Sequence, residues 1–263
     1  MATLSYHEQK DIENIKKLRE LQKELPSFCS DFFRGIETST STRTRIAYAY
    51  DLKIFFQFLK TANPGTFDNP SHTLTPSDLE KLTVTDLEEY IDYLKCHPSD
   101  TNEDVINTER GLMRKVSSLR SFYSYFFRNE RIEKNPAALV RMPKLHEKEI
   151  IRLEIDEVAK LLDEVEEGDK LTEKQKLYHE RTKVRDLAMM SLLLGTGIRV
   201  SECVGLNIND IDLDTCGARV YRKGGKESVI YFSDEVRDVL ENYLDEREMI
   251  DAVPGNEDAL FLS

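Results

Sequence analysis

The sequence predicts two domains: an all-α helical bundle, followed by a mainly α domain of the α+β class that contains a small β-hairpin or sheet. In the first part of the chain, apolar residues recur at spacings of three and four, which is the period of an amphipathic helix. Later in the chain, two short β-prone runs at 218–221 and 228–232 flank a Lys-Gly-Gly-Lys turn, as in a hairpin. A polar, basic linker at 141–151 separates the two patterns, and we place the domain boundary near residue 147.

The helices of the first part follow one another with polar interruptions. Residues 10–34 predict a charged helix that is interrupted at Pro26 and ends near Gly35. The hydroxyl-rich run at 38–42 can supply the N-cap of the next helix. The elements expected after it are an amphipathic helix over 48–59, a loop over 62–77 with three prolines, and a helix over 85–94.

The next helix, over 110–128, has an unusual polar face. Its apolar seam repeats at spacings of four, three, four and three, and consists of Leu112, Val116, Leu119, Tyr123 and Phe126. The opposite side carries only arginine and serine, at Arg110, Arg114, Ser117, Ser121, Ser124 and Arg128. Such a face allows close approach to a DNA groove, with guanidinium groups reaching phosphates or guanine edges. The alternative is an ordinary solvent-exposed face with a chance excess of positive charge.

The charge distribution favours the first interpretation. The net charge of −12 argues against a nucleic-acid-binding protein when the chain is taken as a whole. Between residues 110 and 148, however, ten basic residues are interrupted by only three acidic ones. We therefore predict a local DNA-binding surface that comprises Arg110, Arg114, Lys115, Ser117, Arg120, Ser121 and Arg128.

The second part of the chain begins with a helix predicted over 155–165. A highly charged stretch at 166–182 is expected to be an exposed insertion, and the largely apolar run at 184–194 a buried helix. Glycines at 195 and 197 are expected to cap that helix at its C-terminus. After the hairpin, Ser233 and Asp234 introduce a last helix that continues to about residue 249.

Several classes of protein are disfavoured by composition. The first thirty residues contain no apolar segment typical of a signal peptide, and no apolar run is long enough for a membrane helix. Cys29, Cys96, Cys203 and Cys216 lie far apart, so the sequence indicates neither a disulfide framework nor a zinc site. We expect a cytoplasmic protein with no metal or other cofactor and no membrane partner.

Two short motifs in the second part occur in a characteristic order. The first is Thr-Gly-Ile-Arg-Val-Ser-Glu at 196–202, which follows the apolar helix, and the second is Lys-Gly-Gly-Lys at 223–226 on the hairpin. In this combination, together with Asn-Pro-Ala at 135–137, the chain resembles the tyrosine recombinase (phage integrase) family, and its Xer-type members most closely. The hairpin departs from the family pattern at Arg222 and Ser228, where that pattern has glycine and arginine.

The resemblance implies a domain organisation and a chemistry. It implies an N-terminal helical extension over 1–36, a core-binding, SAM-like DNA-binding domain over 37–147, and the first part of a catalytic domain over 150–263. Arg199 matches the first catalytic arginine, Lys223 the hairpin lysine that acts as a general acid, and Glu202 a supporting acidic position. The implied reaction is DNA strand cleavage and rejoining through a 3′-phosphotyrosyl intermediate, by a tetramer of recombinase protomers on two double-stranded DNA sites.

The second half of the family's catalytic motif has no match in these 263 residues. The family pattern continues with His-x-x-Arg, a further His or Trp, and the tyrosine nucleophile, whereas the last tyrosine here, Tyr243, comes too early in the order. We therefore expect a partial catalytic domain that binds DNA without completing the reaction. A non-catalytic DNA-binding regulator and a helical protein-interaction module remain alternatives, as do roles in chromosome-dimer resolution and in mobile-element integration.

Overall fold

The computed structural model describes residues 6–98, 103–146, 149, 151–222 and 226–262. The first eight residues aside, the chain divides into two compact units, Gln9–Glu149 and Ile150–Ser263. Within the described ranges, no helix is both long enough and apolar enough to cross a membrane.

The first unit is a helical bundle with one short antiparallel ribbon. Its helices are α1 (Tyr6–Lys23), α2 (Cys29–Gly35), α3 (Thr42–Ala62), α4 (Pro64–Phe67), α5 (Pro76–Leu79), α6 (Val84–Lys95) and α7 (Glu109–Arg128), followed by a 3₁₀ turn at Pro136–Ala138. The ribbon pairs β1 (Cys96–Pro98) with β2 (Asp104–Ile106). Side-chain caps define several helix starts: the hydroxyl oxygens of Ser41 and Thr108 accept hydrogen bonds from backbone N–H groups of α3 and α7.

The apolar seam predicted for α7 is confirmed, since all five of its residues are buried in the core of the bundle. Aromatic rings dominate this core and meet mostly edge to face, the arrangement that ring quadrupoles favour. The ring of Phe122 on α7, for example, lies 5.2 Å from that of Phe32 on α2, at an angle of 87°.

The described part of the N-terminal helical extension expected over 1–36 is helical and shares the core of the bundle. Leu18 of α1 and Phe32 of α2 are buried in the same hydrophobic core as α3 and α7. Phe28, between α1 and α2, packs its ring 5.5 Å from that of Phe126. These helices therefore belong to the bundle, because their apolar side chains fill its core.

The second unit combines five helical segments with a small sheet. Its elements are α8 (Ile155–Glu167), α9 (Glu173–Thr196), α10 (Val200–Cys203), a 3₁₀ turn at Ile208–Asp210, β3 (Ile211–Asp212), β4 (Gly217–Arg222), β5 (Lys226–Tyr231) and α11 (Asp234–Arg247). The strands form one antiparallel sheet in the order β3-β4-β5, and the predicted hairpin is confirmed by the pairing of Arg222 with Lys226. The core consists of side chains from α9, the sheet, α11 and the segment that follows, including Leu192, Val220 and Leu240.

The charged stretch at 166–182 is largely exposed, as predicted, and from Glu173 onward it forms the first half of α9. The Gln175 side-chain oxygen accepts a hydrogen bond from the backbone N–H of Thr172, which starts the helix. Ion pairs three residues apart, including Lys183 with Glu180 at 2.9 Å, then align charges along the helix surface. The apolar part at 184–194 is helical as predicted, but only Ala188, Ser191 and Leu192 within it are fully buried.

Candidate active site and DNA interface

The turn that follows α9 positions the first candidate catalytic residue. α9 ends at Thr196, and Gly197 adopts a left-handed conformation with φ of 67°, while its N–H donates to the carbonyl oxygen of Leu193 at 2.9 Å. A residue with a Cβ is strained in this conformation, so glycine is favoured at the C-cap, as the sequence predicts. Two residues later, Arg199 lies at the N-cap of α10.

Arg199 and Glu202 form a compact charged pair at this turn. The Nη1 atom of Arg199 donates to Oε1 of Glu202 at 2.8 Å, and the backbone N–H of Arg199 donates to Oε2 at 2.9 Å. The Glu202 side chain is 6% exposed, whereas that of Arg199 is 72% exposed. The buried carboxylate therefore holds both the backbone and the guanidinium group of Arg199 and leaves much of the guanidinium accessible.

The electrostatic surroundings keep Glu202 ionised. The hydrogen bond from the backbone N–H of Arg199 lowers the pKa of Glu202, and so do the guanidinium of Arg199 and the charge of Arg222, although burial opposes these effects. Arg222 is the last residue of β4, so the start of the hairpin turn lies within electrostatic reach of this pair. Lys223, the next residue and the predicted general acid, lies outside the described residues.

The arrangement suits an anionic group better than a metal ion. An accessible guanidinium offers several N–H donors in a planar fork, which matches the oxygens of a phosphate. Among the described residues, no group of three or more His, Cys, Asp or Glu side chains could hold a metal ion.

His179 and Tyr243 share only their residue type with the missing part of the family motif, and both have structural contacts. A ring nitrogen of His179 lies 2.8 Å from the carbonyl oxygen of Val165, between α9 and α8. Tyr243 is fully buried; its hydroxyl donates to the carbonyl oxygen of Leu260 at 3.1 Å and accepts from the N–H of Leu262 at 3.1 Å. Burial raises the pKa of Tyr243, so this hydroxyl is neither accessible nor activated as a nucleophile.

The structure divides the seven predicted DNA-binding residues into two groups. Arg110, Arg114, Ser117 and Arg128 are exposed on α7, and Ser121 is half-buried beside them. We call these five residues the α7 face.

The other two residues point away from the α7 face. The Lys115 side chain is buried and its Nζ donates to Oδ1 of Asn107 at 2.6 Å. The Nε atom of Arg120 donates to the carbonyl oxygen of Ala137 at 3.1 Å, and its Nη2 donates to that of Val140. Lys115 and Arg120 both donate hydrogen bonds within the bundle. The exposed part of the predicted DNA-binding surface is therefore smaller than the seven predicted residues.

Sequence reasoning missed the contact of Asp51 with Arg114 of the α7 face. Asp51 lies on α3, and its side chain is 2% exposed. Its Oδ2 atom accepts a hydrogen bond from Nη1 of Arg114 at 2.5 Å, while the Arg114 side chain remains 47% exposed. Burial raises the pKa of Asp51, and the charges of Arg114 and Lys115 act in the opposite direction. In the sequence, the sign of this contact was the position of Asp51, an acidic residue among the apolar positions of the helix predicted over 48–59.

Comparison with known proteins shows which family the chain resembles. The model of the phage integrase family matches residues 151–263. The chain is 30% identical to tyrosine recombinase XerS of Streptococcus uberis, over 95% of this chain and 75% of that protein. It is also 30% identical to tyrosine recombinase XerD of Oceanobacillus iheyensis, over 89% and 69% of the two chains. The chain belongs to the tyrosine recombinase family.

Other relatives are longer than the matched region. Tyrosine recombinase XerC of Caldanaerobacter subterraneus subsp. tengcongensis is 34% identical over 83% of this chain, and the match covers 58% of its length. Against XerC of Leptospira interrogans, at 30% identity, the match covers 60% of that protein. The chain thus spans about 60% of the length of these relatives, all of which are Xer-type tyrosine recombinases.

Solved structures share the fold at low sequence identity. The XerH site-specific recombinase, bound to its palindromic difH substrate after cleavage, aligns with a TM-score of 0.55 at 15% identity, over 84% of this chain and 56% of that one. A lambda integrase tetramer bound to a Holliday junction aligns with a TM-score of 0.56 at 17% identity, over 90% and 59% of the chains. At these identities the likeness establishes the recombinase fold of the chain.

Proposed function

We propose that this chain supplies a DNA-binding bundle and part of the active site of a site-specific DNA recombinase. The reaction would be cleavage and rejoining of DNA strands through a 3′-phosphotyrosyl intermediate. The observation that carries the proposal is the accessible Arg199 guanidinium, fixed by the buried carboxylate of Glu202 at the turn where the family motif matches.

Each matched residue has a role that follows from its chemistry. Arg199 would bind the scissile phosphate and stabilise the negative charge that develops on it as the tyrosine attacks. Glu202 positions Arg199 and does not touch the phosphate. Lys223 would donate a proton to the departing 5′-hydroxyl oxygen, as its match to the family hairpin implies.

The α7 face is the proposed DNA interface. Its three arginines are accessible from one side of a helix, and its serines are small enough to permit close approach to a groove. One partner would be double-stranded DNA that carries a recombination site. The other partner would be further recombinase protomers, which would form a tetramer on two such sites. The relatives solved with DNA and as a tetramer support this assignment, and access to chromosomal DNA would place the protein in the cytoplasm.

The family motif's tyrosine nucleophile and His-x-x-Arg have no match within the 263 residues. We propose that this chain by itself binds DNA without completing strand exchange. A second candidate function is that of a DNA-binding regulator with a recombinase fold and no catalytic role. The two are separated by strand cleavage: a recombinase predicts that a form containing these residues and a tyrosine nucleophile cleaves DNA in a way that depends on Arg199, whereas a regulator predicts no cleavage.

DNA binding, which both candidates require, is tested by titrating the chain with fluorescently labelled duplex DNA over a range of salt concentrations. Each phosphate contact should contribute about −0.9 to the slope of log affinity against log salt concentration. Affinity that does not depend on salt would contradict a phosphate-binding surface and favour the helical protein-interaction module.

A further inference from the structure

A cavity in the first unit, distant in sequence from α7, contains a concentration of positive charge. It has a volume of about 410 Å³ and is lined by side chains of α1, α2 and the start of α3. Its polar lining includes Arg19, Arg34, Arg45 and Glu37. Three arginines and one glutamate give these side chains a net charge of plus two, although the chain carries −12 overall.

Arg45 is the buried arginine among the residues that line this cavity. Its side chain is 9% exposed, and its Nη1 atom donates to Oε1 of Glu37 at 2.7 Å. Its Nε atom is buried and has no hydrogen-bond partner among the described residues. An unsatisfied buried donor on a charged group is costly, so an acceptor oxygen in the cavity would stabilise this arrangement.

The other two arginines are more accessible. Arg19 is exposed on α1, with no hydrogen bond or ion pair in the described part of the chain. Arg34 has a 77% exposed side chain, whose Nη1 lies 3.8 Å from Oδ1 of Asp31, a weak contact. Both guanidinium groups thus have donors available for a further anion. Beside them, Leu18 and Phe33 give the cavity an apolar wall.

We propose that this cavity binds a phosphate monoester of mononucleotide size. A phosphate monoester carries a charge of about −1.5 to −2 at pH 7, which complements the plus two of the lining. Guanidinium groups match phosphate oxygens in geometry, and Nε of Arg45 would gain its missing acceptor. The volume lies in the usual range for small-molecule sites, about 300 to 1,000 Å³, and leaves room for an apolar body against Leu18 and Phe33.

Isothermal titration calorimetry of the whole chain with AMP, inorganic phosphate and adenosine tests the proposal. We expect saturable binding of AMP, weaker binding of inorganic phosphate, and none of adenosine, which lacks the anion. Arg19→Ala should weaken AMP binding about tenfold or more, because one charge-assisted hydrogen bond is lost. Lys16→Ala is the matched control: it removes an exposed charge from the same helix outside the cavity lining, and it should leave AMP binding within about twofold.

Arg45→Lys tests the buried donor, since lysine keeps the charge but has no Nε–H group to donate; its melting temperature should be compared with wild type to confirm folding. In the folded Arg45→Lys variant, AMP affinity should be about tenfold lower than in the wild type, because one charge-assisted hydrogen bond is lost. Equal binding of AMP and adenosine, or no AMP binding at millimolar concentration, would overturn the proposal. A further result would also overturn it: Arg19→Ala weakens duplex DNA binding, and AMP does not compete with DNA for the wild-type chain. The arginines would then bind the DNA backbone and not a mononucleotide.

Discussion

Arg114 on α7 and Asp51 on α3 are 63 residues apart in sequence, yet their side chains meet at 2.5 Å, with the aspartate buried and the arginine half-exposed. One end of the guanidinium is therefore anchored in the bundle, and the remaining donors are available at the surface. An anchored arginine loses less conformational entropy on binding a phosphate than a mobile one. Under the proposed function, this contact would preorganise one residue of the α7 face for binding DNA.

The first prediction concerns Arg114 itself. In Arg114→Ala, the log-log salt slope of duplex DNA binding should become shallower by about one, because one phosphate contact is lost. The measurement is fluorescence anisotropy at several salt concentrations. Lys60→Ala, an exposed charge near the end of α3, should leave the slope unchanged. An unchanged slope in Arg114→Ala would remove this residue from the interface.

The second prediction uses Asp51 to separate anchoring from charge. Asp51→Asn removes a negative charge near the proposed interface, so simple electrostatics would raise DNA affinity. If Asp51 positions Arg114, affinity should instead fall, by about threefold to tenfold. In the double variant with Arg114→Ala, the Asp51 change should have little further effect, because the two residues act as one unit. An affinity increase in Asp51→Asn would rule out the anchoring role.

The third prediction concerns Arg199 in a cleavage-competent recombinase containing these residues. Arg199→Ala should slow cleavage by about 10² to 10³, the usual cost of one preorganised donor to a developing charge. DNA affinity should change little, since other phosphate contacts remain. Arg199→Lys should restore little activity, because an ammonium group cannot form the forked contact. A variant that melts earlier but cleaves at the normal rate would leave Arg199 with a structural role only.

The fourth prediction concerns Lys223, and it is tested by comparing cleavage rates for two leaving groups. Lys223→Ala should slow cleavage of ordinary DNA, because the 5′-oxygen must leave with a proton. A substrate with a 5′-thiol leaving group should recover the rate, since a thiolate leaves without one. Absence of selective recovery would withdraw the general-acid assignment.

The fifth prediction follows from the lowered pKa of Glu202. Because the folded-state pKa lies below the ordinary value, the contribution of Glu202 to the free energy of unfolding is complete above the ordinary pKa. It is lost as the pH falls through the folded-state value. Glu202→Gln should therefore reduce stability by about 1 to 2 kcal/mol at neutral pH, and the difference should shrink in acid. Denaturant unfolding at several pH values measures this, with the exposed Glu241→Gln as the control.

Local patterns predicted the features that depend on neighbouring residues. The apolar seam of α7 follows from helical periodicity, the cap at Gly197 from the conformational freedom of glycine, and the β4-β5 hairpin from two short strands around a turn. Arg199 and Glu202 are only three positions apart in the sequence, so a motif could indicate their pairing.

Features that depend on distant residues could not be predicted in this way. Helical spacing gives the direction of a side chain, but it does not say that Lys115 has Asn107 as a partner. Nor does it show that Asp51 lies under Arg114. Apolar periodicity did not reveal the helix in the charged first half of α9, because this helix depends on capping and on ion pairs between residues three apart. Tertiary packing therefore decided the contacts of Lys115 and Asp51, whereas local polar contacts decided the start of α9.

The short span of the Arg199–Glu202 contact has a consequence for how the site is assembled. Gly197 to Cys203 contains the turn, the arginine and the carboxylate that holds it, so the geometry is encoded within seven consecutive residues. Closing so small a loop has little entropic cost, and the arrangement can form as soon as the end of α9 is helical. The turn that holds Arg199 is thus a self-contained local structure, which could in principle be transferred to the end of another long helix.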